Sequence, residues 1–115
     1  MKYKRLELDV IKWAKEKGIL DKATPLNQLD KTKEEVDELQ EALYFDNNGI
    51  DEFQNKKGKL VNTHEEIQDA LGDVLVTLII QAEMQNMDLI DCLESAYGVI
   101  SKRTGRMENG IFVKD

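Results

Sequence analysis

The chain has one proline, one cysteine, one histidine and seven glycines in 115 residues. So few chain-breaking residues exclude a fold of many short strands and tight turns, and favour long helices. The lone cysteine, Cys92, excludes an internal disulfide and suits a reducing compartment. The lone histidine, His64, leaves no Glu-x-x-His pair of the kind di-iron helical bundles use. Positive charge is also short. Sixteen Lys and Arg face 23 Asp and Glu, for a net charge of −7 and a pI near 4.8. That balance excludes a general nucleic-acid binder, which must displace counterions with basic side chains, and gives no attraction to anionic membranes. The longest apolar run, Val74 to Ile80, falls far short of the ~20 residues that span a bilayer. The opening "MKYKRLELDVIKWAKEKG" alternates charged and apolar residues, unlike a secretory signal. The expectation is a soluble, cytoplasmic, single domain over 1–115.

What is present is helical periodicity. With 41% hydrophobic and 34% charged residues, the composition is globular rather than disordered. Four helices are predicted. The first runs from about Tyr3 to Lys17, with Leu6, Val10 and Trp13 on one stripe and Gly18 as its stop. Thr24 and Pro25 supply the N-cap and first position of the second, whose Leu29, Val36, Leu39 and Leu43 should face inward. Residues 45–61 read as a long polar connection. "NTHEE" opens a third helix reaching about Asn86. Asp88 caps a fourth from Leu89 to Arg103, stopped by Gly105, and a turn with a short extended tail follows.

The acidic residues are less ordinary. In the second helix Gln28, Lys31, Glu35 and Glu38 form a line along one shoulder of the apolar face, while Glu34 and Glu41 point nearly opposite. In the third, Glu66, Asp69 and Asp73 fall within about 60° of one another at 100° per residue. Taken singly, most of these acids have bland explanations. Acids three apart usually form a solvated face, Thr63-x-x-Glu66 matches a capping box, and Asp69 favours the dipole near a helix start. Asp73 resists such an account, because it precedes the apolar run directly. If the two helices pack antiparallel, two lines of carboxylates face each other. Like charges ~4 Å apart repel by about 4 kcal/mol at an effective dielectric near 20. A compensating cation or raised proton affinity is then required. Oxygen-only ligands select a hard ion, Mg²⁺ or Mn²⁺. His64 reads as a surface residue and Cys92 as buried packing.

The paired acidic segments resemble a known family, the MazG-like all-α nucleoside triphosphate pyrophosphohydrolases, whose hallmark is E-E-x-x-E on one helix and E-x-x-D on the next. "EEVDE" (Glu34 to Glu38) is similar to the first and "EIQD" (Glu66 to Asp69) to the second. "LGDVL" (Leu71 to Leu75) resembles the segment that usually carries the family's aspartate. The likeness covers roughly Thr24 to Ile100, and the "NGIFVK" tail and "WA…G" first helix are similar to small phage and bacterial members. One departure stands out. The commoner E-L-G-D pattern would place a glutamate at position 70, where this chain has Ala70, and offers Asp69 and Glu66 instead. The resemblance implies a four-helix, all-α bundle that hydrolyses a nucleoside triphosphate to the monophosphate and pyrophosphate with Mg²⁺. It implies metal ligands among Glu35, Glu38, Asp73, Asp69 and Glu66. A carboxylate not fully used by the ion can orient the attacking water as a base, and Glu38 is the candidate.

Lys31 can reach the same ligand as Glu35, and Lys102 and Arg103, with Arg106, are the other phosphate candidates, although basic residues also suit a helix C-terminus. Trp13 and Tyr97 are candidate walls for a base and Gln28 a polar contact to it. The third helix is apolar nearly all round, more than three neighbours can cover, so a homodimer or homotetramer is expected. The competing reading is a non-catalytic helical interaction module whose acids are surface decoration.

Overall fold

Pro25 begins the longest helix because Thr24 prepares its first turn. Thr24 Oγ1 accepts from the Asn27 amide at 3.1 Å, and Asn27 Oδ1 accepts from the Thr24 amide at 3.1 Å, a reciprocal capping box around the expected Thr-Pro start. The computed structural model, which describes residues 1–115, builds outward from this helix. The order is α1 (Lys2–Glu16), α2 (Ile19–Lys22), α3 (Pro25–Asn47), β1 (Glu52–Gln54), β2 (Leu60–Asn62), α4 (Thr63–Met84), α5 (Leu89–Ile100), β3 (Gly105–Glu108) and β4 (Ile111–Lys114). Helices account for 66% of the chain, so the fold is mostly helical. There are five helices rather than four, the extra one being the single turn α2, which starts where Gly18 adopts φ 77°.

α3 and α4 pack antiparallel. Gln28 Nε2 donates to the Thr77 carbonyl at 3.2 Å, Thr32 Oγ1 to Thr77 Oγ1 at 2.9 Å, and Gln81 Nε2 to the Pro25 carbonyl at 2.9 Å. Position numbers rise on one helix as they fall on the other. α1 packs against α4, and Lys4 Nζ ties α1 to the start of α5 by pairing with Glu7 at 3.2 Å and Asp88 at 3.1 Å. Asp88 stands at the N-cap of α5 as expected, but this ion pair replaces a side-chain cap bond.

Several expectations need correcting. The 45–61 connection is not irregular: α3 runs on to Asn47, and β1 and β2 then form an antiparallel hairpin with Phe53 opposite Val61. Phe53 is buried and stacks on Phe45 with ring centroids 4.3 Å apart, which fastens the hairpin to the end of α3. The cap of α4 is Asn62, whose side chain accepts from the Glu65 amide at 3.0 Å. Thr63 is therefore inside the helix, and its hydroxyl donates to the Ile50 carbonyl at 2.6 Å. The capping box assigned to Thr63 and Glu66 does not form, so Glu66 has no capping duty.

α5 ends at Ile100, not Arg103, and Gly105 belongs to β3. A side chain at Gly105 would collide with the Val113 carbonyl and lie 2.6 Å from the Phe112 ring, so the close approach of β4 requires glycine. The tail is a second hairpin, turned at Asn109 and Gly110 with φ 51° and 80°.

The apolar stripes also differ from expectation. α3 buries Gln28, Glu35 and Ala42, while Leu29, Val36 and Leu43 are exposed. α1 buries Glu7 and Ala14 rather than Leu6 and Trp13. Cys92 is exposed, as nothing on α5 is buried. Twelve residues are buried in all, and the radius of gyration of 16.8 Å exceeds the ~13 Å that a compact chain of this length adopts. The chain thus leaves much apolar surface open. No helix is long and apolar enough to cross a membrane.

Candidate active site

The antiparallel register brings Glu35 and Glu38 of α3 against Asp73 of α4. One oxygen from each carboxylate lies within 4.8 Å of the others. Glu35 is buried, Glu38 half-buried and Asp73 more open. This closeness has electrostatic consequences. Burial, then the hydrogen bond and charge of Glu35, push Glu38 above the usual carboxylate range. Burial, then the charges of Glu35 and Asp69, do the same to Asp73. Lys31 offsets part of the repulsion. Its ammonium lies 3.3 Å from Glu35 Oε1 and 3.1 Å from Glu34 Oε1, which, Glu34 first, raises its own proton affinity.

Glu35 Oε2 is buried with no hydrogen-bond partner. An orphaned carboxylate oxygen amid like charges carries a desolvation cost that a cation would relieve. The donor set is oxygen only. Its spread is close to the span of about 4.2 Å between opposite ligands of a Mg²⁺ ion, so modest side-chain rotation closes it. The residues present therefore fit a hard divalent ion.

A cavity opens on each side of the cluster, and the two differ in chemistry. The first, of about 200 Å³, is walled by Trp13, Ile19, Val76 and Ile80, with Gln28, Lys31, Glu35 and Asp73 at its polar end. The second, also about 200 Å³, has no hydrophobic wall. Glu38, Glu41, Glu66, Asp69 and Asp73 line it together with Asn55, Lys56 and Lys57 of the β1–β2 turn. Asp73 borders both.

Of the residues singled out in the sequence, Glu35, Glu38 and Asp73 come together, and Lys31, Gln28 and Trp13 adjoin them. Glu66 and Asp69 lie on the polar side without joining the three-carboxylate cluster. Tyr97, Lys102 and Arg103 line neither cavity; Tyr97 is exposed on α5 and the other two lie in the turn beyond it. Glu41, placed on the opposite face by helical counting, instead lines the polar cavity. Lys56 and Lys57 were missed. Their only signal was a lysine pair between Asn55 and Gly58, which makes sense once those two residues are seen to form a tight turn.

Residues 23–111 match a family model described as the MazG nucleotide pyrophosphohydrolase domain. No curated protein and no solved structure matches the chain.

Proposed function

From the premise that the chain belongs to the MazG nucleotide pyrophosphohydrolase family, we propose that it is a Mg²⁺-dependent enzyme converting a ribo- or deoxyribonucleoside triphosphate and water to the monophosphate and pyrophosphate. The observation that carries this reading is the Glu35–Glu38–Asp73 cluster lying between an apolar-walled cavity and a wholly polar one. A nucleoside triphosphate has that polarity, a flat apolar base at one end and a polyanion at the other.

In this account Glu35, Glu38 and Asp73 hold Mg²⁺, or Mn²⁺, with Asp69 and Glu66 completing the set from the polar side. The ion would neutralise phosphate charge and polarise the α-phosphoryl group. Trp13 forms the wall for the base, Gln28 offers a polar contact, and Lys31 meets a phosphate oxygen. Glu38, through an oxygen not used by the ion, takes a proton from the attacking water. As the water oxygen bonds to the α-phosphorus, the bond to the bridging oxygen breaks and its electron pair leaves with pyrophosphate. Phosphoryl transfer of this kind asks chiefly for positioning and charge neutralisation, which the paired helices supply.

The protein also acts as a homo-oligomer in this account, a dimer or tetramer. The open protomer supports it: Leu93 and Tyr97 on α5, and Met107, Ile111 and Phe112 on the second hairpin, are all exposed. Tyr97, Lys102 and Arg103 would then meet substrate only across a subunit interface.

Hydrolysis in ¹⁸O-labelled water tests the chemistry. Label in the nucleoside monophosphate and none in pyrophosphate is expected. Label in pyrophosphate or inorganic phosphate would place the attack at another phosphorus. A folded protein that releases nothing from any nucleotide would favour a helical interaction module.

A further inference from the structure

Lys56 and Lys57 border a cavity containing five carboxylates, yet neither makes an ion pair. Both are exposed on a turn whose backbone is fixed. Asn55 Oδ1 accepts from the amides of Lys57 and Lys59, each at 3.0 Å, and Gly58 takes φ 78°, so the loop is locked by its own backbone. The base of the hairpin is fixed as well, by Phe53 on Phe45 and by Thr63, whose amide donates to the Asp51 carbonyl at 2.8 Å. Asp73, which lines this cavity, also belongs to the cluster with Glu35 and Glu38, one oxygen of each lying within 4.8 Å of the others. Five carboxylates and two unpaired lysines thus line one cavity of about 200 Å³. A metal-bound polyphosphate satisfies both, whereas a bare cation or a bare anion satisfies only one.

We propose that the β1–β2 turn is the pyrophosphate clamp of this site, with Lys56 and Lys57 holding the β- and γ-phosphates of the substrate. The inference rests on the pyrophosphohydrolase reading and adds the substrate's direction. The nucleoside lies on the Trp13 side, the α-phosphorus at Asp73, and the leaving group under the turn. When the α–β phosphoanhydride breaks, the negative charge that develops on the bridging oxygen appears opposite the two ammonium groups, so they stabilise the leaving group as well as binding it. Nucleoside monophosphates, lacking those phosphates, make no use of the turn.

Calorimetric titration with Mg²⁺ and inorganic pyrophosphate tests this without turnover, using wild type, the K56A/K57A double variant, K56R/K57R, and K59A as a control on the same hairpin. Wild type and K59A are expected to bind alike, and K56A/K57A at least tenfold more weakly. K56R/K57R should recover most of the affinity. Inhibition of the reaction by nucleoside monophosphate should be unchanged in all four. Equal pyrophosphate affinity in wild type and K56A/K57A overturns the clamp. So does a wild type that cleaves triphosphates yet does not bind pyrophosphate, which leaves the proposed reaction standing. A wild type that neither cleaves nor binds overturns both.

Discussion

Replacing Glu35 with glutamine should make the metal-free protein more stable while removing its response to metal. Glu35 lies within 4.8 Å of both Glu38 and Asp73, so at an effective dielectric near 20 each neighbour repels it by at least about 3.5 kcal/mol. Lys31, at 3.3 Å, returns about 5 kcal/mol by the same reckoning. Glutamine removes all three interactions, and Lys31 keeps its pairing with Glu34 at 3.1 Å. The balance favours the variant by about 2 kcal/mol. For a chain of this size that raises Tm by about 5–10 °C. The amide also supplies donors where Glu35 Oε2 now has no partner. In Mg²⁺ the order reverses. An ion at 100 times its dissociation constant stabilises wild type by about 2.7 kcal/mol, and the variant should gain little. Thermal unfolding in chelator and in saturating Mg²⁺, at fixed protein concentration, measures both effects. A Glu35→Gln protein less stable than wild type in chelator would refute the electrostatic reasoning. A variant that gains as much from Mg²⁺ as wild type would remove Glu35 from the metal set.

The pH dependence carries a definite sign. Glu38 and Asp73 bind protons more tightly in the folded protein than in the unfolded chain. Their contribution to stability is therefore fully present below the ordinary carboxylate range and is lost as pH rises through their raised values. In chelator, Tm should climb as pH falls from neutrality towards that range, until other carboxylates protonate, and Mg²⁺ affinity should fall over the same interval. A flat profile would contradict the raised affinities. Thr63→Val leaves the Ile50 carbonyl without its donor, so a loss of about 1–3 kcal/mol is expected together with a higher KM for triphosphate, because the same contact seats the β1–β2 hairpin; chemical denaturation and steady-state kinetics read the two. Scattering at micromolar concentration should report a dimer or larger, and a stable monomer would contradict the oligomer reading.

The parts legible from sequence were those in which local chemistry and long periodicity agree. The Thr24–Pro25 start is a contact among neighbours, and the structure forms it. Asp73 stood out because a carboxylate against an apolar run has no ordinary explanation, and it does meet Glu35 and Glu38. The face of α3 was not legible in the same way. Helical counting turned Leu29, Val36 and Leu43 inward, but the buried positions are Gln28, Glu35 and Ala42, since the helix walls a polar site against α4. Apolarity marks surfaces that want burial without saying which partner provides it. The first hairpin was hidden for a different reason. Its strands have three residues each and only Phe53 is buried, so no alternating pattern rises above the polar loop around it. Lys56 and Lys57 were missed with it, because they lie on neither acidic helix and only the folded hairpin brings them to the carboxylates.

The most direct test of the account is pyrophosphate release from a panel of ribo- and deoxyribonucleoside triphosphates, with Mg²⁺ and with chelator, by wild type and Asp73→Asn. Release that needs Mg²⁺ and falls by at least about a hundredfold in the variant is the predicted result, as expected when the site loses a carboxylate that holds the charge-neutralising ion. Release that persists in chelator, or that Asp73→Asn leaves intact, would contradict it.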